Sequence, residues 1–438
     1  MSIPSLEALL AKFQSLGAQR VLCKRLAEND NSKQQVYLGH GFDALNLIPF
    51  GAVQSDSSKK QPIMKASLPL SWLDDSGKAA RAPGAQLILY PEYPEVRMSG
   101  FLRGCPTAPS VLMRAVSKAE RRFNNGPDGR LLFLAILPTR EVVAYLAPAG
   151  SAIAGDFDGR HRRKPFVAAG VFLDVFLPKV GDSRTLLIAR LREIHAAGWH
   201  ASCRLHADGT RHRYIARNGG GYTLEALFGI VPNSRAQPDF HGWELKACGS
   251  DRVTLMTPEP DSGYYGKKGV EAFVRRYGHA KSGDTLYFTG MHRSGVVCTS
   301  TGQRLIVRGF DAATSKILNV EGGIYLVGKG GEDSAGWSFR RLLEHWGRKH
   351  AYAAYVPYEV RESGGPQYCY TSPAMLGEGT SFEKFLKAMA SGLVVYDPGP
   401  KVTAASTAKP KSKARSQFRI GRKNLGELYV SFTAEPID

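Results

Sequence analysis

"QPDFHGWELKAC", residues 237–248, sets Asp239, Glu244 and Lys246 among Phe240, Trp243 and Leu245. In an extended strand alternate side chains point opposite ways, so Glu244 and Lys246 share one face and Trp243 and Leu245 the other. Asp239 lies five positions before Glu244, and Gly242 between them permits a bend. Two carboxylates drawn together repel each other and favour a hard divalent cation. Magnesium takes one or two carboxylates and completes its shell with water and phosphate oxygens. A lysine alongside either orients or deprotonates an attacking water, or neutralises charge on a pentavalent phosphate. Taken alone, these twelve residues are more simply a solvated amphipathic strand.

Composition narrows the setting. A chain of 438 residues is too long for one core and is expected to form two or three domains. Lys plus Arg number 58 against 39 Asp plus Glu, a net charge of +19 that points to a polyanionic partner, either nucleic acid or an anionic membrane face. No apolar run approaches the roughly 20 residues of a spanning helix, and of the two polyanions nucleic acid is the expected partner, with no membrane. "MSIPSLEALLAKFQSLGA" reads as an amphipathic helix without the layout of a signal peptide. The six cysteines, at 23, 105, 203, 248, 298 and 369, include no Cys-x-x-Cys pair, which disfavours a zinc knuckle and a disulfide framework. A reduced, cytoplasmic setting is expected.

Along the chain, "QRVLCKRLA", "QQVYLG", "GAQLILY", "RLLFLAIL" and "EVVAYLA" are strand-like runs between turn-rich loops, a mostly-β pattern over about the first 150 residues. "GDFDGRHRRKP", residues 155–165, reads as a linker or phosphate-facing loop. From "DSRTLLIARLREIHAAG" onward helices and strands mix: helix "TLEALFGI", strand "GWELKAC", helix "GVEAFVRRYGH", strand "DTLYFTGM", helix "SFRRLLEHWGRK", strand "AYAAYVPYEV" and helix "TSFEKFLKAMASG". That is an α/β or α+β domain, with the boundary expected near residue 178. "VTAASTAKPKSKARSQ" is low-complexity and basic, expected to be mobile in the free protein.

The flanks of the opening stretch carry more than the stretch itself. "AGWH", then "NGGGYTLEALFGI", then "PDFHGWELK", followed far downstream by "SFEKFLKAMASG" and "SQFRIGRKNLGELY", resemble in order and spacing the MvaI/BcnI family of type II restriction endonucleases. That family is related in fold to the MutH mismatch-repair nickase, and the resemblance covers about residues 180–438. It implies a PD-(D/E)xK nuclease in which Asp239 and Glu244 hold Mg²⁺, Lys246 is the catalytic lysine and Glu225 an additional acid on the preceding helix. Read without the resemblance, Glu225 is a first-turn acid complementing the helix dipole. His241 falls where the family can carry a histidine and is read as a rim or packing residue.

Between Lys401 and Lys423 lie eight Lys or Arg residues and no acid. The resemblance implies that the loop before "FRI" enters the major groove, which makes Lys411, Lys413, Arg415 and Arg419 candidate DNA contacts, Arg419 as a guanine-reading fork or a phosphate clamp. "SKARSQ" replaces the His- and Gly-containing run usual in the family at that point, which leaves the recognition sequence open. "VLCKRLAENDNSKQQVYLG" resembles the start of the effector DNA-binding domain of EcoRII-type enzymes, a B3-like pseudobarrel. By position its two DNA-clamping loops would carry Lys24, Arg25, Asn29, Asp30 and Gln34, then Lys59, Lys60 and Arg81. "ENDN" is equally an Asx-rich turn serving its own backbone.

The expectation is thus a two-domain, Mg²⁺-dependent type II endonuclease: residues 1–178 a B3-like DNA-binding or effector domain, residues 179–438 a MutH-like nuclease. Its partner would be double-stranded DNA with a short CC/GG-bounded site such as CCNGG or CCWGG, bound as a monomer and, with one site per domain, in the type IIE manner, alongside a cognate methyltransferase. The rival readings are a strand-nicking or modification-dependent nuclease and a non-catalytic DNA-binding regulator that keeps the fold.

Overall fold

The computed structural model describes residues 3–28, 30, 34–58, 62–114, 127–175, 183–216, 218–232, 239–280, 283–346 and 350–438. The chain divides into two compact units, Met1–Leu186 and Leu187–Asp438. The boundary expected near residue 178 lies outside the described residues.

In the first unit Ser5 accepts a hydrogen bond from the Ala8 amide and starts the helix Leu6–Ser15. A seven-stranded sheet runs in the order Val167–Ala169, Phe172–Val175, Arg20–Ala27, Pro127–Ile136, Val142–Ala147, Leu70–Leu73, Ala79–Arg81. All its pairs are antiparallel except Val142–Ala147 with Leu70–Leu73. A second, antiparallel sheet orders Gln35–His40, Glu95–Ser99, Gln86–Tyr90, Ile63–Ser67 and Val53–Asp56. The unit is mostly β. Among the described residues both sheets end in strands with a single neighbour, so neither closes into the expected barrel.

Residues 155–165, read as a loop, belong largely to the helix Ala152–Arg163. Ser151 caps it, and Ile153, Ala154 and Phe157 form an apolar stripe that its glycines and charges hide in the sequence. Together with Leu9, Leu10 and Phe13 of the first helix, this stripe covers Val21, Cys23, Phe133 and Tyr145 of the larger sheet.

Lys24 and Asp30 face each other at 2.5 Å, only 6 % and 8 % exposed. Asp30 also accepts from the Ala27 amide at 2.9 Å. The two charges thus meet each other inside the unit, a pairing that their reading as DNA contacts did not include. Removing one partner strands a buried charge, so Lys24→Ala should cost about 3–5 kcal/mol, and Lys24→Met with Asp30→Leu much less, in urea unfolding of the full chain.

The second unit is organised on the strand Tyr352–Glu362. Its first half pairs in parallel with Trp243–Cys248 on one side and antiparallel with Ala374–Glu378 on the other. Its second half turns back onto Pro366–Tyr370, which continues to Trp199–Ala201, while Ala374–Glu378 pairs with Ser431–Glu435. The helices Ser183–Ala196 and Gly219–Leu227 pack Leu187, Leu191, Ile194, Leu224 and Leu227 onto Trp243, Leu245, Ala354, Val356 and Leu376 of this mixed sheet. Beyond Cys248 the chain enters a three-stranded sheet, Arg252–Met256, Phe418–Gly421 and Val394–Tyr396. The expected helix "GVEAFVRRYGH" is the latter part of Gly263–Tyr277, which breaks at Gly269 with φ +79°. The stretch 401–417, read as low-complexity and mobile, carries secondary structure. Lys401–Thr403 and Lys411–Lys413 pair as a hairpin on Thr285–Tyr287, and Asp284 holds its tip through Ser406 N and Oγ at 2.8–3.1 Å.

His292 is fully buried beside Phe288 and Tyr396, with Nε2 2.9 Å from Thr301 Oγ1. Burial pulls its pKa from 6.5 down to about 4. As pH falls through that window the unfolded chain binds a proton that the folded one refuses. Stability should therefore drop from pH 6.5 toward 4, by about 3 kcal/mol at the lower end. His292→Gln should flatten this part of the pH profile in urea unfolding.

Candidate active site

The motif that opened the sequence folds as a tight turn feeding a strand. Phe240 and Trp243 exchange both backbone hydrogen bonds at 2.9 and 2.8 Å, so His241 and Gly242 are the two central residues of the turn. Their φ values are +46° and +92°. Positive φ at both positions marks a type I′ turn, whose twist suits the strands it joins. The turn folds Asp239 back along its own chain, where its Oδ2 accepts from the Leu245 amide at 2.9 Å. His241 is exposed at the tip.

From Trp243 onward the side chains alternate. Trp243 and Leu245 enter the core beneath the helices. Glu244 and Lys246 emerge on the opposite face, with Lys246 Nζ donating to Glu244 Oε1 at 2.6 Å. Glu244 is 2 % exposed. Parallel pairing sets Glu244 opposite Ala353 and Lys246 opposite Tyr355. Tyr355 and Tyr429 share a hydrogen bond of 2.8 Å between buried hydroxyls, and the field of Glu244 reaches both rings. Burial raises both phenols, so they stand as neutral hydroxyls near the acid.

Burial by itself would lower the Lys246 ammonium. Glu244, Asp239 and Glu225 outweigh it and hold the pKa above its ordinary value. One cation thus feels all three acids singled out in the sequence, and it stays protonated among them.

Glu225 reaches the cluster from a helix that starts earlier than expected. It begins at Gly219, so Glu225 is the seventh of nine residues rather than a first-turn acid. An acid near a helix C-terminus opposes the dipole. Two arginines offset this by donating to the last carbonyls, Arg211 Nη2 to Ala226 O at 3.2 Å and Arg190 Nη2 to Leu227 O at 2.5 Å. At the other end Tyr370 donates to Gly220 O at 2.6 Å, and a Cβ on Gly220 would lie 2.6 Å from the Tyr358 ring. Gly219 and Gly220 are therefore packing requirements, a Cβ on Gly219 likewise lying 2.5 Å from the Tyr368 hydroxyl, whereas Gly221 faces open space. In "AGWH", His200 Nε2 meets Ile194 O at 2.8 Å and Trp199 stacks under Arg361, both structural roles.

Among the described residues no group of three or more His, Cys, Asp and Glu is arranged to hold an ion alone. Magnesium needs only one or two carboxylates, and an all-oxygen pair such as Asp239 and Glu244 suits a hard cation.

The other sequence candidates are spread widely. In the first unit Arg25 pairs with Asp158 at 2.6 Å, Gln34 is exposed with φ +55°, and Arg81 is exposed 3.7 Å from Glu141. Asn29, Lys59 and Lys60 lie outside the described residues, as does Pro238. In the second unit Lys411, Lys413 and Arg415 are exposed along the basic hairpin. Arg419 is not on a groove-entering loop. It sits in the central strand of its sheet, bound to Asp397 at 2.7 Å and to Arg252 O at 3.2 Å. Sequence reading passed over Tyr355, Tyr429, Arg190 and Arg211, whose partners lie far along the chain and leave no local signal.

A mixed sheet carrying an acid-and-lysine strand, covered on one face by helices, has the restriction-endonuclease fold. The chain belongs to the MvaI/BcnI restriction endonuclease family, whose model matches residues 188–429. It is accordingly a type II site-specific deoxyribonuclease, a class that works with a divalent metal. Among solved structures it is similar to restriction endonuclease MvaI in complex with cognate DNA, at 19 % identity over 59 % of this chain and 100 % of that one, TM-score 0.45. The similarity to MvaI in the absence of DNA is 17 % over 59 % and 99 %, TM-score 0.32. No curated protein matches the chain. Among the described residues no helix is long and apolar enough to cross a membrane.

The turn is open to test. His241→Asn should keep both cleavage and melting temperature, because Asn accepts positive φ. Gly242→Val forces a β-branched residue there, costs about 1–2 kcal/mol or more, and should depress cleavage more than folding by displacing Asp239.

Proposed function

We propose that Asp239, Glu244, Lys246 and Glu225 form the catalytic centre of a Mg²⁺-dependent endonuclease of PD-(D/E)xK type that leaves 5′-phosphate and 3′-hydroxyl ends. The observation that carries this reading is the convergence of three acids on one buried-faced ammonium, reached from a turn, a strand and a separate helix. Asp239 and Glu244 would hold the ion, which when bound supplies positive charge to polarise the scissile phosphate. Lys246 then releases Glu244 and turns its N–H groups to the attacking water and the phosphate oxygens. It acts as a fixed cation against the charge that grows in the transition state. Glu225, fastened by its helix, holds the edge of the same cluster and orients water around it.

The first unit, residues 1–178 in the sequence reading, would serve as a B3-like effector that binds a second copy of the site. Arg25, Gln34 and Arg81 remain its described candidates. The basic hairpin, through Lys411, Lys413 and Arg415, would hold the DNA backbone near the nuclease centre. A CC/GG-bounded site such as CCNGG or CCWGG, monomeric action and a cognate methyltransferase complete the reading.

The test is cleavage of unmodified phage DNA with Mg²⁺. Glu244→Ala, Asp239→Ala and Lys246→Ala should each lower the rate by at least about 10²–10³-fold while DNA binding persists in Ca²⁺. Chelation should abolish cutting, and sequencing the ends should show the site. Equal cutting by Glu244→Ala would overturn the assignment.

A further inference from the structure

The helix of Glu225 carries a small antiparallel hairpin, Cys203–Leu205 with Arg211–Arg213. Its tip is rigid. His206 O accepts from Gly209 N at 3.0 Å, His206 N donates to Thr210 O at 2.9 Å, and Gly209 has φ +80°, the pattern of a three-residue loop with a bulge. Asp208, the hairpin's one acid, accepts from Thr210 N and Oγ1 at 2.9 and 2.6 Å through Oδ1; these bonds hold its carboxyl below the usual range, and its charge also acts on His212 and His206.

Register divides the hairpin into two faces. Leu205 and Arg211 are directly paired, and this face rests on the helix: Leu205 is buried and Arg211 holds Ala226 O, next to Glu225. Thr223 Oγ1 fastens the base by bonding to both Cys203 N and Cys203 O. The opposite face pairs Arg204 with His212 and adds His206 beyond the strand. His206 and His212 are exposed and stack with ring centroids 4.1 Å apart. Thr210 Oγ1 lies 2.8 Å from His212 Nε2 and sets that ring's angle. Arg204 lies 4.9 Å over Tyr222, which fixes the plane of its guanidinium while leaving its edge as donor.

We propose that this free face is a phosphate-backbone clamp for duplex DNA, with Arg204 and His206 as its donors and His212, whose Nε2 donates to Thr210, joining them through Nδ1 in its protonated form. The face offers donors at fixed spacing, has its one carboxylate at the hairpin tip beside the two imidazoles, and is tied through one helix to an acid of the cleavage centre. Such groups suit phosphate oxygens, and phosphate contacts set register without reading sequence. The proposal rests on the nuclease reading for the identity of the polyanion alone.

The experiment uses the full chain with Ca²⁺ in place of Mg²⁺ and two duplexes, one with CCWGG and one without. Affinity is measured by fluorescence anisotropy from low to moderate NaCl. Arg204→Gln should reduce the slope of log affinity against log salt by about 0.9, one phosphate's worth, and Arg204→Lys should restore it. His206→Ala with His212→Ala should weaken binding about 5–30-fold. Both effects should be equal on the two duplexes. A normal melting temperature with an unchanged slope for Arg204→Gln overturns the clamp. So does an affinity loss with no slope change, which would make Arg204 only a prop for Tyr222. If the wild type binds with these hairpin effects but never cuts in Mg²⁺, the cleavage reading fails and the clamp stands. If it cuts while the hairpin variants bind normally, only the clamp fails.

Discussion

The second unit depends on one strand serving two environments. Trp243 and Leu245 must reach the apolar layer under two helices, and the pleat then forces Glu244 and Lys246 out on the other side. A slip of one residue would bury both charges beneath the helices and expose the tryptophan. Parallel pairing with Tyr352–Glu362 holds that register from one side. The hydrogen bond from the Leu245 amide to Asp239 holds it from the other. The acids are therefore kept together by the packing of their apolar neighbours, against their own repulsion.

The same logic explains the surroundings of Glu225. A short helix of low intrinsic stability is pinned by Tyr370 and Thr223 near its start and by Arg190 and Arg211 at its end. Its glycines let it approach the tyrosines of the sheet closely. An acid placed against the dipole is tolerated because two guanidiniums sit on the last carbonyls. The cluster thus has rigid support from three separate parts of the chain.

Much of this was legible in the sequence where the signal is local. Alternation through "GWELK" marked the strand, helical spacing marked Phe382–Ala390, and Ser381 caps the latter as such a residue should. Glu225, Asp239, Glu244 and Lys246 stood out by their order, and the structure brings all four within one electrostatic cluster. What stayed hidden was long-range. The pairing of Lys24 with Asp30 could not be read, because a basic-acidic turn looks the same whether its charges meet DNA or each other. Arg419 looked free because Asp397, its partner, lies in another segment. The helix Ala152–Arg163 was concealed by composition, since only three of its residues face inward. In the first unit the five strand-like runs are all strands, Val142–Ala147 among them, but their pairing across distant segments left no local trace.

The carboxylate of Asp284 has a wider consequence. By binding both the amide and the hydroxyl of Ser406, it settles the shape of the basic hairpin before any polyanion arrives. A floppy cationic arm must give up conformational freedom at the moment of capture, and its association suffers for it. Here that freedom is surrendered during folding. For the DNA contact proposed above, docking would be a rigid-body collision, governed by diffusion and ionic strength rather than by the search of a disordered strand.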